Sequence, residues 1–134
     1  LQREKERVAS ATQAGGSAET PPVDLELLRK ASGGAEEGMR ELVDLYLGQT
    51  REILQNLHAA IQKGSAQEVE MLAHKCIGSS VACGMVAMAP LLRELERMGS
   101  DGKLDAAPAQ IAKIDIEFQR IRNTVADTNA FLQS

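Results

Sequence analysis

His74 is followed by Lys75, and then by Gly78 and Ser79 within little more than one helical turn. An imidazole with an ordinary pKa near 6.5 is substantially neutral around pH 7, so it can serve as a nucleophile. A metal role needs company, and His58 has no Cys, Asp or Glu cluster at ligand spacing. Lys75 offers a charge-assisted contact to an incoming anion, or is simply a solvated lysine. Ser79 can hydrogen-bond the ring and fix its tautomer, or fold back onto a helix carbonyl. Ser80 reads as small core packing. Glu94 and Glu96 read as solvated or salt-bridging carboxylates, not as an acid/base pair. Cys76 and Cys83 lie about 10 Å apart along one predicted helix, beyond the roughly 7 Å limit for a disulfide. They read as small, reduced, buried residues rather than a metal or redox pair.

The element that must position His74 is a helix from Ser65 to Cys83. Ser65 and Glu68 form an S-x-x-E capping box at its start. Leu72, Cys76, Ser79 and Cys83, with Val69 and Ser80 beside them, fall on one arc at about 100° per residue, and this arc is expected to be buried. His74 lies roughly 160° from its middle and so points outward. The outward face carries Met71, Ile77, Gly78 and Val81 where Lys and Glu are usual. Gly78 costs about 1 kcal/mol against Ala in a helix interior, but it clears space one turn beyond the imidazole. Small and apolar neighbours around an exposed nucleophile suggest a docking surface for another protein.

His74-Lys75-Cys76-Ile77-Gly78-Ser79-Ser80, then Gly84, resembles the His-x-Leu-Lys-Gly-Ser-Ser…Gly signature of histidine phosphotransfer (HPt) domains. The resemblance spans about Val23 to Leu132, with Leu91, Leu95, Glu96 and Gly99 resembling the family's Leu…Leu-Glu…Gly helix. It implies an exposed phosphoacceptor at His74 that exchanges a phosphoryl group with receiver-domain aspartates. Lys75 and Ser79 would stabilise or orient, and Met71, Ile77, Gly78 and Val81 would dock the partner. The implied partners are response-regulator receivers and a sensor or hybrid histidine kinase. No cofactor of its own is implied, since magnesium is expected in the receiver. Two positions depart from the pattern: Ile77 stands where the family has Lys, and Cys76 where it has Leu. The first bears on transfer rate more than on transfer itself, and supports an alternative, a degenerate module that docks a receiver without transfer. The Gly-Ser-Ser tail favours the hybrid-kinase or stand-alone type over the module of chemotaxis kinases.

The remaining chain fits one all-α domain. The 134 residues carry a net charge of -4 and no basic stripe, which argues against nucleic acid as partner. No apolar run approaches the roughly 18 residues of a membrane span, and charged Leu1 to Arg7 lacks the apolar stretch of a secretion signal. No ATP-binding motif is present, so autophosphorylation is not expected. Reduced cysteines fit the cytoplasm. The absence of an initiator Met is compatible with a fragment or a processed product.

Residues 1–22 read as a tether, with Gly15-Gly16-Ser17 and Pro21-Pro22 and the option of a short helix over Leu1 to Ser10. Residues 23–134 read as the domain. Asp24 caps a short helix, Leu25 to Ala31, with Leu27 and Leu28 inward. A long helix runs from about Ala35 to Lys63 on a stripe of Met39, Leu42, Tyr46, Ile53, Leu57 and Ile61. After the His74 helix, a fourth runs from about Val86 to Met98, with Pro90 at its first position or at a kink, and Leu91, Leu92, Leu95 and Met98 inward. Gly99 to Leu104 reads as a loop. Asp105 caps a last helix to about Leu132, with Ile111, Ile114, Phe118, Ile121, Val125 and Phe131 as its stripe. Four substantial helices with short Gly-marked connections make an antiparallel four-helix bundle, the short first helix lying across one end. Such a bundle hides its stripes within one chain and is expected to be monomeric.

Overall fold

The computed structural model describes residues 21–133, with side chains as far as Ala126. Of the tether assigned to residues 1–22, the first twenty residues lie outside what is described, as does the side chain of Phe131 in the last stripe. Among the described residues there are five α-helices and no strand: α1 (Leu25–Ser32), α2 (Glu36–Gln62), α3 (Ala66–Ala82), α4 (Met88–Asp101) and α5 (Ala107–Gln133). The four long helices form an antiparallel ring in which each packs on two neighbours, α3 most extensively on α4. The short α1 sits against α2 and α3, at the end where α2 starts and α3 finishes.

Local chemistry sets the helix ends. The Asp24 carboxylate accepts from the backbone N–H groups of Glu26 and Leu27 at 3.0 and 3.2 Å, capping α1. At Ser65 only half of the capping box forms. The Ser65 hydroxyl accepts from the Glu68 N–H at 3.4 Å, while the Glu68 carboxylate pairs with Lys63 at 3.2 Å. The Ser65 N–H is already used, donating to the Ala60 carbonyl at 2.9 Å. That bond, with Gly64 N–H to Ile61 carbonyl at 3.1 Å, closes the end of α2 in a Schellman turn around left-handed Gly64. The end of α3 repeats the device: Met85 N–H donates to Ser80 and Gly84 N–H to Val81, with Gly84 at φ +80°.

The core draws on every long helix. Tyr46 and Leu57 of α2, Val69 and Cys76 of α3, Leu92 and Leu95 of α4, and Ile114 and Ile121 of α5 are all 1% exposed or less. The polar Gln110 is also buried, and its amide donates to the Leu91 carbonyl at 2.9 Å, tying α5 to α4.

Several expectations need correction. Only Leu28 of α1 is buried. Leu27 is 39% exposed, because α1 is short and rests on the bundle along one line. The buried arc of α3 is centred on Ala73, Cys76 and Ser80, with Leu72 and Ser79 half-buried at its edge. The shift follows from the close packing of α3 on α4, which the small residues permit. In α4 the helix starts at Met88, so Pro90 occupies the first turn, where an N–H has no intrahelical acceptor anyway. The same helix runs through Gly99 to Asp101 and ends at left-handed Gly102. Gly99 is therefore no loop residue: it is buried inside α4, where tertiary contact outweighs its poor helix propensity. The last helix begins at Ala107, after a turn at Asp105 and Ala106.

Candidate functional site

His74 stands on the outer side of α3 with its side chain 77% exposed. Its Nδ1 lies 2.7 Å from Oε2 of Glu96, which reaches across from α4 and is itself 28% exposed. An ionised carboxylate can only accept, so in the neutral ring Nδ1 carries the hydrogen and donates it to Glu96. The lone pair of the ring then belongs to Nε2, the nitrogen available for chemistry.

Around the ring the expected strip is partly in place. A side chain at Gly78 would meet nothing within 4 Å, so the turn beyond the imidazole is open. Met71 and Val81 are 59% and 46% exposed. Ile77 differs: it is half-buried and packs against the core rather than standing free. Lys75 is exposed and rims a groove between α2 and α3, with Gln49, Glu52, Ile53, Asn56 and Leu72 as its other lining.

The two serines of the motif face inward tasks. The Ser79 hydroxyl donates back to the Cys76 carbonyl at 3.2 Å, while the imidazole Nδ1 is held by Glu96. Ser80 is fully buried, and its hydroxyl shares a 2.7 Å hydrogen bond with that of Tyr46. Burial pushes the Tyr46 phenol well above its ordinary range, and pushes the Cys76 and Cys83 thiols up likewise. Both cysteines are free and buried, and a raised thiol is a poor nucleophile.

The other candidates separate cleanly. Glu94 pairs with Arg97 on the surface of α4, and Arg97 also reaches Asp101 at 3.4 Å. His58 bridges α2 to Asp115 of α5 at 2.8 Å, far from this face in sequence and in element. Among the described residues no group of three or more His, Cys, Asp or Glu is placed to hold a metal ion. No helix of the described residues is long and apolar enough to cross a membrane.

Glu96 is the residue that sequence reasoning undervalued. The sequence marks it in the Leu95-Glu96…Gly99 segment, and its reading as a solvated or salt-bridging carboxylate leaves the pairing with His74 unnamed. Spacing within one helix gives no signal of the pair, because His74 and Glu96 lie 22 residues apart on different helices.

Comparisons with known proteins agree with this arrangement. The family model described as "Hpt domain" matches residues 41–124. Among solved structures, the chain is similar to histidine-containing phosphotransfer protein B (HptB) from Pseudomonas aeruginosa PAO1. The two share 32% sequence identity and a TM-score of 0.76, over 82% of this chain and 96% of that one. A search of curated proteins found no match. With the family model spanning well over half of its length, the chain belongs to the Hpt domain family.

Proposed function

We propose that this protein is a phosphotransfer intermediate of a two-component phosphorelay, with His74 as its phosphoacceptor. The observation that carries the reading is the pairing of an exposed imidazole with Glu96, which leaves Nε2 as the unprotonated nitrogen. Nε2 attacks the phosphorus of a receiver's aspartyl phosphate in line. The P–N bond forms as the P–O bond to the carboxylate breaks, and that electron pair returns to the aspartate. The ring gains positive charge as the bond forms, and the Glu96 carboxylate offsets it across Nδ1–H. The reverse step delivers the phosphoryl group to a second receiver.

The domain's share of the work is the nucleophile, its orientation and a docking face. Met71, Gly78 and Val81 form the face over which a receiver approaches, and Lys75 is the nearest cation in sequence for an incoming phosphoryl group. Ile77 adds apolar area at the edge of that face. The acidic pocket and its magnesium belong to the receiver, and the phosphoryl group originates from a sensor or hybrid histidine kinase. This reading places the protein in the cytoplasm as a monomer.

A second reading is a module that docks a receiver without accepting phosphate. Its support is Ile77, which packs toward the core where the family pattern has a lysine. One experiment separates the two: incubation with a phosphorylated receiver. Acid-labile, base-stable label on His74 supports transfer. Binding without label supports the docking module, and neither outcome would sink both readings.

A further inference from the structure

We infer that Gly99 is a positioning residue: it lets α4 cross α3 at backbone contact and thereby holds Glu96 within reach of His74. A Cβ built on Gly99 would lie 2.6 Å from the Glu70 nitrogen, 2.8 Å from the Ala66 oxygen and 3.0 Å from the Glu70 Cα. All three are backbone atoms of α3, which cannot rotate aside as a side chain can. By contrast, Gly48 and Gly78 have nothing within 4 Å of the same position. The demand for glycine at residue 99 therefore comes from the neighbouring helix.

The crossing point and the functional pair lie on the same seam. Glu96 precedes Gly99 by three residues on α4, and Glu70 precedes His74 by four on α3. The helices run antiparallel, so the pair sits one turn along from the contact. Ordinary contact begins at 3.4 Å, against the 2.6 Å found here, so an alanine forces a displacement of about 0.8 Å. Added to a 2.7 Å hydrogen bond, that brings the pair to the limit of bonding distance.

The consequence for transfer rests on the phosphoacceptor reading, whereas the positioning itself does not. The first readout is accordingly the 15N spectrum of the His74 ring, recorded without a receiver at a pH where the ring is neutral. The wild-type protein should show the Nδ1–H tautomer in large excess, and Glu96→Ala a mixture of both. Gly99→Ala should also give the mixture although Glu96 is intact. The double variant should match Glu96→Ala, because the two changes act through one contact.

Single-turnover transfer from a phosphorylated receiver should fall at least tenfold in Gly99→Ala, with no further fall when Gly99→Ala is added to Glu96→Ala. A folded Gly99→Ala protein with the wild-type tautomer overturns the inference. So does an additive loss in the double variant, which marks a structural effect only. Gly99→Ala is best made alongside Gly48→Ala, which fills open space on α2 and strengthens that helix.

Glu96→Asp tests the same point without strain in the fold. If the crossing is rigid, the shorter carboxylate loses the ring and the tautomer mixes. Retention of the wild-type tautomer means that α4 can slide, and overturns the inference. Ring spectra that behave as expected in a protein that accepts no phosphate would uphold the positioning role while removing the phosphoacceptor reading.

Discussion

The Tyr46 hydroxyl and the Ser80 hydroxyl meet at 2.7 Å in the middle of the bundle, between α2 and α3. Both residues are 1% exposed or less. The bond joins the second serine of the His74 motif to the long helix behind it, so part of that motif is a core contact rather than surface chemistry. Ser80→Ala leaves the buried phenol unsatisfied and should destabilise the fold by about 1–3 kcal/mol. Tyr46→Phe should cost a similar amount, and the double variant less than the sum of the two. Denaturant titrations of all three check this. Strict additivity would mean that the bond does not form.

The same buried cluster predicts sensitivity to alkali. Burial raises the Tyr46 phenol above its ordinary value near 10, and the Cys76 and Cys83 thiols above theirs near 9. A raised pKa means that the folded state keeps its proton when the unfolded chain has already released it. Stability is thus fully present below pH 9 and is lost progressively as pH rises through 9 and 10 toward the folded values. Melting temperatures recorded from pH 7 to 11 should fall over the upper half of that range. Tyr46→Phe should flatten the decline above pH 10, and an unchanged slope would assign the loss to other groups.

The seat of α1 depends on one glycine. Gly84 has φ +80°, its carbonyl accepts from the Asp24 N–H at 2.7 Å, and a Cβ there would lie 2.7 Å from the Asp24 oxygen. An alanine meets the left-handed penalty of about 1–2 kcal/mol and also collides with backbone. Gly84→Ala should therefore cost about 2–4 kcal/mol in total and loosen α1 first. Faster amide exchange of Leu28 relative to Leu57 is the specific sign. A loss confined to global stability, with α1 exchange unchanged relative to the core, would show that Gly84 does not anchor this helix.

His74→Gln should keep the fold and abolish phosphate acceptance. The ring is largely exposed, and its partner Glu96 can be solvated when the pair is lost, so stability should change by less than about 1 kcal/mol. His58→Gln, which breaks the exposed pair with Asp115, should accept label normally. Label remaining on His74→Gln after exposure to a phosphorylated receiver would place the acceptor elsewhere.

Periodicity was enough to read the helix count and the outward direction of His74. Apolar spacing of 3 and 4 reports burial directly, and His74 lies opposite the buried arc. The helix ends expected at Lys63 and Cys83 were legible because each is followed by a glycine, Gly64 or Gly84, whose left-handed backbone stops the helix. The same rule failed at Gly99, because a glycine that admits a neighbouring backbone looks in sequence like one that ends a helix. Leu27 and Leu28 were indistinguishable for a related reason, since a helix of eight residues has too few turns to define a face. The role of Glu96 was out of reach because its partner lies 22 residues away on another helix, and local spacing reveals nothing about crossings.

The final expectation concerns the approach of the partner over Gly78. This residue lies one turn beyond His74 on α3, is exposed, and has open space where a side chain would stand. A receiver must bring its aspartate into line with Nε2, so its surface loops have to pass over this turn. Gly78→Gln adds a long side chain in that path without touching the core. Its effect on stability should be slightly favourable, by up to about 1 kcal/mol, because glycine is the poorer helix former. Transfer should nonetheless slow by an order of magnitude or more, since a displacement near 1 Å at the reacting atoms can cost about 100-fold. Gly48→Ala supplies the control: an exposed helical glycine on α2 with equally open surroundings, whose replacement should stabilise the fold without changing transfer. Single-turnover transfer and thermal melts on the same samples decide the matter. A Gly78→Gln protein that melts higher and transfers at the wild-type rate would mean that the receiver does not come over this face of α3.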